Sequence, residues 1–318
     1  MSLFAESFRP PSEATRRSAS RSIAIGVGWA LLTVAVWAAW PAFTRLSVTS
    51  HLNPEDLVLL RYGLGGLLLL PVLLRNASRM TPGGWREGIW LATFQGAPLA
   101  LIATTGVRYA PASHLAALSP GLIPLFTALI GLAFFGERIP AARRGGLVLI
   151  MAGALVLAGV SVGTLTSGVW RGDALFICAG LMGAVYAVRM RRSGLSAMTG
   201  AALIAVYSFI FYVPLYCVLW LSSTRLLNVP TQEVVFQALY QGGLMGALTL
   251  FSLSQAIVLL GSTRAAAFLS LIPVLGTVLG VAILDEIPSP TEATAVLGIT
   301  LGALLATGIL DKNERVTS

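Results

Sequence analysis

The sequence predicts an all-α membrane protein of ten transmembrane helices in two inverted five-helix repeats, with both termini cytoplasmic. Three observations predict it. Of 318 residues, 56% are hydrophobic and 11% charged, against about 25% charged in an ordinary soluble protein. Apolar runs follow one another almost without pause, each long enough for a bilayer core that takes about 20 residues per helix. The second half of the chain also repeats the first.

In order along the chain, a polar tail over residues 1–22 carries Arg9, Arg16, Arg17 and Arg21 ahead of the first run. A signal peptide would have a shorter apolar region and a small-residue cleavage site, so this run reads as an uncleaved span. The runs cover 25–44, 55–74, 86–105, 112–135, 145–162, 172–190, 198–221, 234–258, 263–284 and 292–310. Short connections leave no soluble domain. The chain thus divides into the tail 1–22, a first repeat 23–162, a second repeat 163–311 and a C-terminal tail 312–318.

The formal charge of +8 invites a nucleic-acid reading, but the basic residues sit in short connections. With both termini inside, 16 of the 21 basic residues fall on the cytoplasmic side, while Arg45, Arg108, Arg171 and Arg225 fall on the other. That asymmetry is the positive-inside pattern, so no nucleic-acid partner is expected. The remaining basic residue, Arg61, lies inside the second run. Cys178 and Cys217 are also within runs, so no disulfide is expected.

The repeat is clearest in Leu122-Ile123-Pro124 and Leu271-Ile272-Pro273, each followed thirteen residues after its Pro by Glu137 or Glu286. An offset of 149 holds without gaps from Ala112/Gly261 to Gly159/Gly308, with 14 identities in 48 positions. Weaker echoes precede it: Gly28 to Leu31 against Gly172 to Leu175, Pro71 against Pro214, and Phe94-Gln95-Gly96 against Tyr240-Gln241-Gly242. Five is odd, so a repeat that begins in the cytoplasm obliges the next to begin outside. Glu137 then faces the cytoplasm and Glu286 the outside. Inverted repeats are an architecture of secondary transporters, with the substrate site near the midplane. A duplication in a structural membrane protein would leave the same trace.

Pro124 and Pro273 centre the fourth and ninth runs. Proline lacks an N–H and its ring clashes with the carbonyl four residues back, so the carbonyls of Pro120 and Leu269 are expected to lose their partners, and Pro120 does the same to Ala116. Backbone broken at membrane depth is tolerated only inside protein or beside a wet cavity. Free carbonyls there would accept a substrate ammonium, with Ser119 and Ser270 beside them; simple kinking is the other reading. Gln95 and Gln241 match across the repeat and should point inward. Trp37, Trp40, Pro41 and Tyr186 lie too deep for the interfacial belt, so their rings stack on a solute or pack the bundle.

Other polar residues read more plainly. Glu137 and Glu286 precede the fifth and tenth helices and suit the positive ends of their dipoles. Gly153, Gly159, Gly298, Gly302 and Gly308 fit close helix packing, a scaffold or dimer face. Arg61 either snorkels outward or binds a substrate carboxylate. His114 is expected at the interface and His51 in a loop. No Asp or Glu lies mid-span, and pumps generally use an intramembrane ionisable relay, so the chain reads as a facilitator. G-x-S-x-G, H-E-x-x-H, P-loop and G-x-G-x-x-G motifs are all missing, so no enzyme activity, metal or cofactor is expected.

Ten runs, the inverted repeats, and the Leu-Ile-Pro helix that ends in Gly-Glu or Asp-Glu resemble the EamA-type branch of the drug/metabolite transporter superfamily over residues 25–310. The resemblance implies a multi-pass inner-membrane protein, monomer or homodimer, that exports amino acids, other metabolites or drugs. The first run has no acidic residue of the kind the small multidrug exporters depend on. Only Arg61 and Arg189 could match the cavity cations of sugar-phosphate carriers. An amino-acid exporter handling aromatic side chains fits best. The implied site lies between helices 1, 3, 4, 6, 8 and 9: the carbonyls of Pro120 and Leu269, freed by Pro124 and Pro273, receive the amino group. Gln95 and Gln241 hold polar edges, and Trp37, Trp40 and Tyr186 stack on the side chain. A reading from another class makes the chain a non-transporting scaffold.

Overall fold

The computed structural model describes residues 13–163 and 165–309, and among them every regular element is helical. The first repeat comprises α1 (Glu13–Ser50), α2 (Pro54–Ala77), α3 (Pro82–Gln95), α4 (Ala97–Gly106), α5 (Ala112–Leu118), α6 (Ile123–Phe135) and α7 (Ala141–Gly163). The second comprises α8 (Val169–Arg192), α9 (Ala197–Leu219), α10 (Thr231–Gln237), a π-helical stretch Ala238–Leu248, α11 (Thr249–Leu260), α12 (Ser262–Leu269), α13 (Ile272–Leu284) and α14 (Pro290–Ala306).

Among the described residues, eight helical segments are long and apolar enough to cross a membrane. Two of the ten expected runs fall short. The third is split at Gly96, whose backbone (φ −90°, ψ −144°) leaves the helix. A Cβ there would lie 2.3 Å from both the Ala92 carbonyl oxygen and Ser208 Oγ. That hydroxyl accepts from the Ala97 N–H at 3.0 Å, satisfying a donor the break exposes. The tenth run is α14, apolar but only 17 residues long.

Local sequence chemistry sets several helix starts. Pro54 opens α2 behind a reciprocal box in which the Asn53 N–H donates to Asp56 Oδ2 at 3.0 Å. Ser289 and Glu292 form the same box at α14, the arrangement that satisfies otherwise orphaned N–H groups.

Packing reproduces the internal repeat. α1 lies against α11 and α13, and its counterpart α8 lies against α4 and α6; α2 lies against the π-helical stretch, and its counterpart α9 against α3. Each pairing survives exchange of the halves. Two helices also meet their own counterparts, α2 with α9 and α7 with α14, and α5 meets α13, the second half of its counterpart run. All three pairs are antiparallel. Gly146 faces Gly302 and Ala306 while Gly153 faces Ala295 and Ile299; Ala116 faces Gly276 while Ala112 faces Gly280; Gly66 faces Ala205 and Phe209 while Glu55 accepts from the Tyr212 hydroxyl. Counterparts running in opposite directions are what a two-fold axis across the helices produces.

Gly146, Gly153 and Gly302 serve the α7–α14 contact, whereas a Cβ on Gly159 would meet nothing within 4 Å. A Cβ on Gly302 would sit 2.6 Å from the Gly146 carbonyl oxygen, and one on Gly153 would sit 2.7 Å from that of Ala295. Their backbones touch, so α7 and α14 form scaffold, as the small-residue spacing implied.

Candidate functional site: a cavity between the repeats

Both Leu-Ile-Pro stretches break their helices. α5 stops at Leu118, residues 119–122 form turns, and α6 restarts at Ile123 with Pro124 in its first turn, where a missing N–H costs nothing. Pro273 takes the same place in α13. The prolines therefore begin new helices instead of kinking continuous ones. This corrects the expectation for Pro120: its carbonyl accepts the Ile123 N–H at 3.3 Å. The turn supplies a partner three residues on, one position short of the helical one.

Beside the first break is a cavity of about 90 Å³, lined by Trp37, Trp40, Arg61, Gln95, Ser119 and Pro120 together with apolar carbons of Leu99, Leu115, Met245 and Ile272. Five of these, Trp37, Trp40, Gln95, Ser119 and Pro120, belong to the expected substrate set. The lining comes from both repeats, which places the cavity at their seam.

Trp40 is held at one edge and over one face of its ring. Its Nε1–H donates to Gln241 Oε1 at 3.0 Å, and the Arg61 guanidinium lies 5.4 Å from its ring centroid. Gln241 itself is 1% exposed, with its Nε2 donating to Thr44 Oγ1 at 3.3 Å and Gln237 Oε1 at 3.4 Å. It therefore stands behind Trp40 and orients it, and does not line the cavity. Gln95 does line it, so the two glutamines are not equivalent. The reason is local: at the offset that aligns Gly28 with Gly172, Ala184 stands where Trp40 does.

Other expected residues lie elsewhere. Tyr186 packs with the cluster around Tyr62, Leu91 and Ile204. The Ser270 hydroxyl donates to the Ala267 carbonyl at 2.7 Å. Leu269, Ser270 and Pro273 are not among the residues lining the cavity. Pro124 lines a neighbouring cavity of about 260 Å³ with Ile123, Thr127, Glu137, Arg138 and Arg191. Ile123 borders both spaces.

Arg61 does not snorkel. Its guanidinium lies over the rings of Trp40 and Tyr62, 5.7 Å from the latter's centroid, and the Tyr62 hydroxyl donates to the Gln95 carbonyl at 3.3 Å.

The two ends of the bundle are closed differently. Glu286 receives the Ala112 N–H at 2.9 Å and the guanidinium of Arg45, which also donates to the Val107 carbonyl. It caps α5 of the other repeat, and α14 is capped by Ser289; the expected role at the tenth helix is thus displaced to the fourth run. His114, expected at an interface, is wholly buried: its Nδ1 meets Asp173 Oδ1 at 2.7 Å and its Nε2 meets Glu292 Oε1 at 3.3 Å. Carboxylates only accept, so this geometry is satisfied by a ring carrying both protons. Ser47 adds a bond to Glu233 at 3.2 Å and accepts from Gln237 at 2.7 Å.

At the opposite end Glu137 accepts from Arg192 at 2.9 Å and Arg191 at 3.0 Å, with all three side chains about half exposed. The Arg192 hydrogen bond, followed by that of Arg191, holds the Glu137 carboxyl below the usual glutamate range. Sequence comparison of the halves carried a signal for the difference. At the offset of 149, Thr263 stands for His114 and Arg143 for Glu292, so the buried cluster has no copy at the Glu137 end.

A larger groove of about 510 Å³ runs between α3, α4 and α9 at the Gly96 break. Its walls include the exposed apolar side chains Ile89, Phe211 and Leu215, and Ser208 is already committed to Ala97. With no charged group it offers lipid a surface and a polar solute little.

The model of the EamA-like transporter family matches the chain twice, over residues 24–159 and 170–308. The chain belongs to that family. The two matches coincide with the two halves whose packing exchanges, so this is a multi-pass membrane transporter for small molecules, in a family of transporters and not of enzymes. The EamA fold also appears in a solved structure described as "Crystal structure of protein", 20% identical, with a TM-score of 0.61, covering 92% of this chain and 99% of that one. At that identity the likeness speaks to fold alone. No curated protein matches the chain.

Proposed function

We propose that this EamA-like transporter exports an amino acid with an aromatic or other apolar side chain across the inner membrane, by alternating access through the cavity between its repeats. On this reading all ten runs cross the bilayer, both termini are cytoplasmic, and the Glu286 end faces outward. The single observation that carries it is the 90 Å³ cavity at the repeat seam, where the indoles of Trp37 and Trp40 meet Gln95 and the broken α5–α6 segment. Indoles present a flat apolar face to a side chain, and Gln95 and Ser119 present polar edges.

The buried cluster at His114 and the Glu286 cap close the end assigned to the outside, while the half-exposed Glu137 pairs are the weaker closure at the cytoplasmic end. The 260 Å³ space beside Pro124 then lies on the cytoplasmic approach. Because antiparallel counterparts pair across the seam, exchanging the conformations of the two halves opens the other end with the same helices. Transport is facilitative on this reading, since no carboxylate or His lines the cavity.

Purified protein in liposomes should take up labelled aromatic amino acids, and Trp40→Ala or Gln95→Ala should change the flux. If no amino acid moves while a phosphorylated sugar does, the substrate assignment is wrong; unchanged flux in both variants would remove the cavity from the pathway.

A further inference from the structure

We propose that the central cavity is a carboxylate site, in which Arg61 and the Trp37 indole N–H grip a monoanionic head and set the charge a solute must carry. It rests on that cavity being the solute site, and it reverses the expectation that the broken helix offers acceptors to an ammonium group.

Two independent features of the lining point the same way. Arg61 is the one charged residue among those lining the cavity, and among the described residues no carboxylate pairs with it. Its planar fork has five donors, and it lies against the rings of Trp40 and Tyr62. The second feature is Trp37, whose Nε1–H is buried without an acceptor and whose side chain lines the same cavity. An indole nitrogen only donates, and a buried polar group left unmade costs about 1–3 kcal/mol. A lone cation and an orphaned donor on two residues that line one space call for an anionic acceptor. Of the two carbonyls expected to receive an ammonium, that of Pro120 already accepts from Ile123 and Leu269 is not among the residues lining the cavity.

Size and charge narrow the class. Drug-sized ligand pockets are about 300–1,000 Å³, so 90 Å³ takes a head group while the remainder of the solute extends past Ile123 into the 260 Å³ space. One guanidinium balances one negative charge, and a planar carboxylate matches its fork in a bidentate pair. A phosphate dianion would leave a second charge uncompensated among apolar carbons. Trp40 and Tyr62 hold the guanidinium in place, so the fork is oriented before the solute arrives. The sequence offers a check on the position: at the offset of 143 that aligns Pro71 with Pro214, Ile204 stands for Arg61, so the site belongs to one repeat.

The test uses the whole protein purified in detergent, with thermal stabilisation as the readout. Aromatic and aliphatic amino acids and the matching simple carboxylic acids are compared with their carboxamides, their amines and a sugar phosphate. We expect the carboxylates to raise the melting temperature, including acids lacking an amino group, and the amides, amines and phosphate ester to leave it unchanged. Arg61→Gln should weaken carboxylate binding by about 10- to 100-fold, the loss of a charge-assisted pair, and Arg61→Lys should recover part of it. Trp37→Phe should weaken it less. Melting of each variant without ligand separates lost binding from lost fold.

Equal stabilisation by amides, preference for amines or the phosphate ester, silence of every carboxylate, or an acid preference that survives Arg61→Gln would each overturn the proposal. Carboxylate binding without flux in liposomes would leave it standing and overturn the transport reading instead.

Discussion

Replacing His114 by Ala probes the closure at the Glu286 end. The imidazole is completely buried and bridges three helices, α5 of the first repeat with α8 and α14 of the second, through contacts of 2.7 and 3.3 Å. Breaking a buried ion pair by removing one partner costs about 3–5 kcal/mol. The lower figure applies here, because Glu292 keeps its bonds to Ser289 at 2.7 and 3.3 Å and is partly exposed. Since the cluster ties one repeat to the other, the loss falls on the closed arrangement of this end. A loss of about 3 kcal/mol changes an equilibrium by about 100-fold. Melting in detergent should drop clearly, and His114→Gln, which keeps one donor, should fall in between. A second readout is labelling of Ser119→Cys by an impermeant thiol reagent from the Glu286 side, with Cys178 and Cys217 replaced by Ala. The His114 change should speed that labelling strongly. Unchanged melting together with unchanged labelling would refute the idea that this cluster holds the repeats together.

Three further outcomes follow from the geometry. Trp40→Phe keeps a ring beside Arg61 but removes the donor to Gln241, whose buried oxygen then lacks it, at a cost of about 1–3 kcal/mol; melting and liposome flux should both fall, and wild-type values in both would contradict the orienting role. Gly302→Ala places a Cβ 2.6 Å from the Gly146 carbonyl oxygen where ordinary contact begins at 3.4 Å, so α7 and α14 must separate, an overpacking cost of about 1–3 kcal/mol read as a lower melting temperature. The Glu137 carboxyl is held below its unfolded range by Arg192 and Arg191, so its contribution is present above the unfolded value of about 4.3 and fades as pH falls through the lower folded one. Acidification from about pH 5 should therefore loosen the α6–α8 contact, seen as a drop in melting temperature, and Glu137→Gln should show no such pH step.

Much of the fold was legible because the bilayer imposes it on composition. Run lengths, the offset of 149 and the interruption at Leu-Ile-Pro all follow from where apolar residues and prolines stand in the chain. What the sequence hid are relations between distant segments. That Pro120 keeps a partner depends on a turn at residues 119–122 that replaces the helical register. That Glu286 caps α5 joins residues 174 apart in sequence. The two glutamines look equivalent in the repeat, yet the bond that withdraws Gln241 comes from Trp40, which the other repeat replaces by Ala184. Symmetry was a good guide to the scaffold and a poor one to the site. The residues that break it, Arg61 against Ile204 and His114 against Thr263, proved the more informative.

The most direct measurement is sidedness. Single cysteines at Arg138 and Ile287, both exposed beside the two glutamates, are introduced into a chain lacking Cys178 and Cys217 and labelled with impermeant reagent in intact cells and in inverted vesicles. The account predicts that position 287 reacts in intact cells and position 138 only in inverted vesicles. Reaction of both positions from the same side would contradict two oppositely oriented halves, and with them an exchange of open ends.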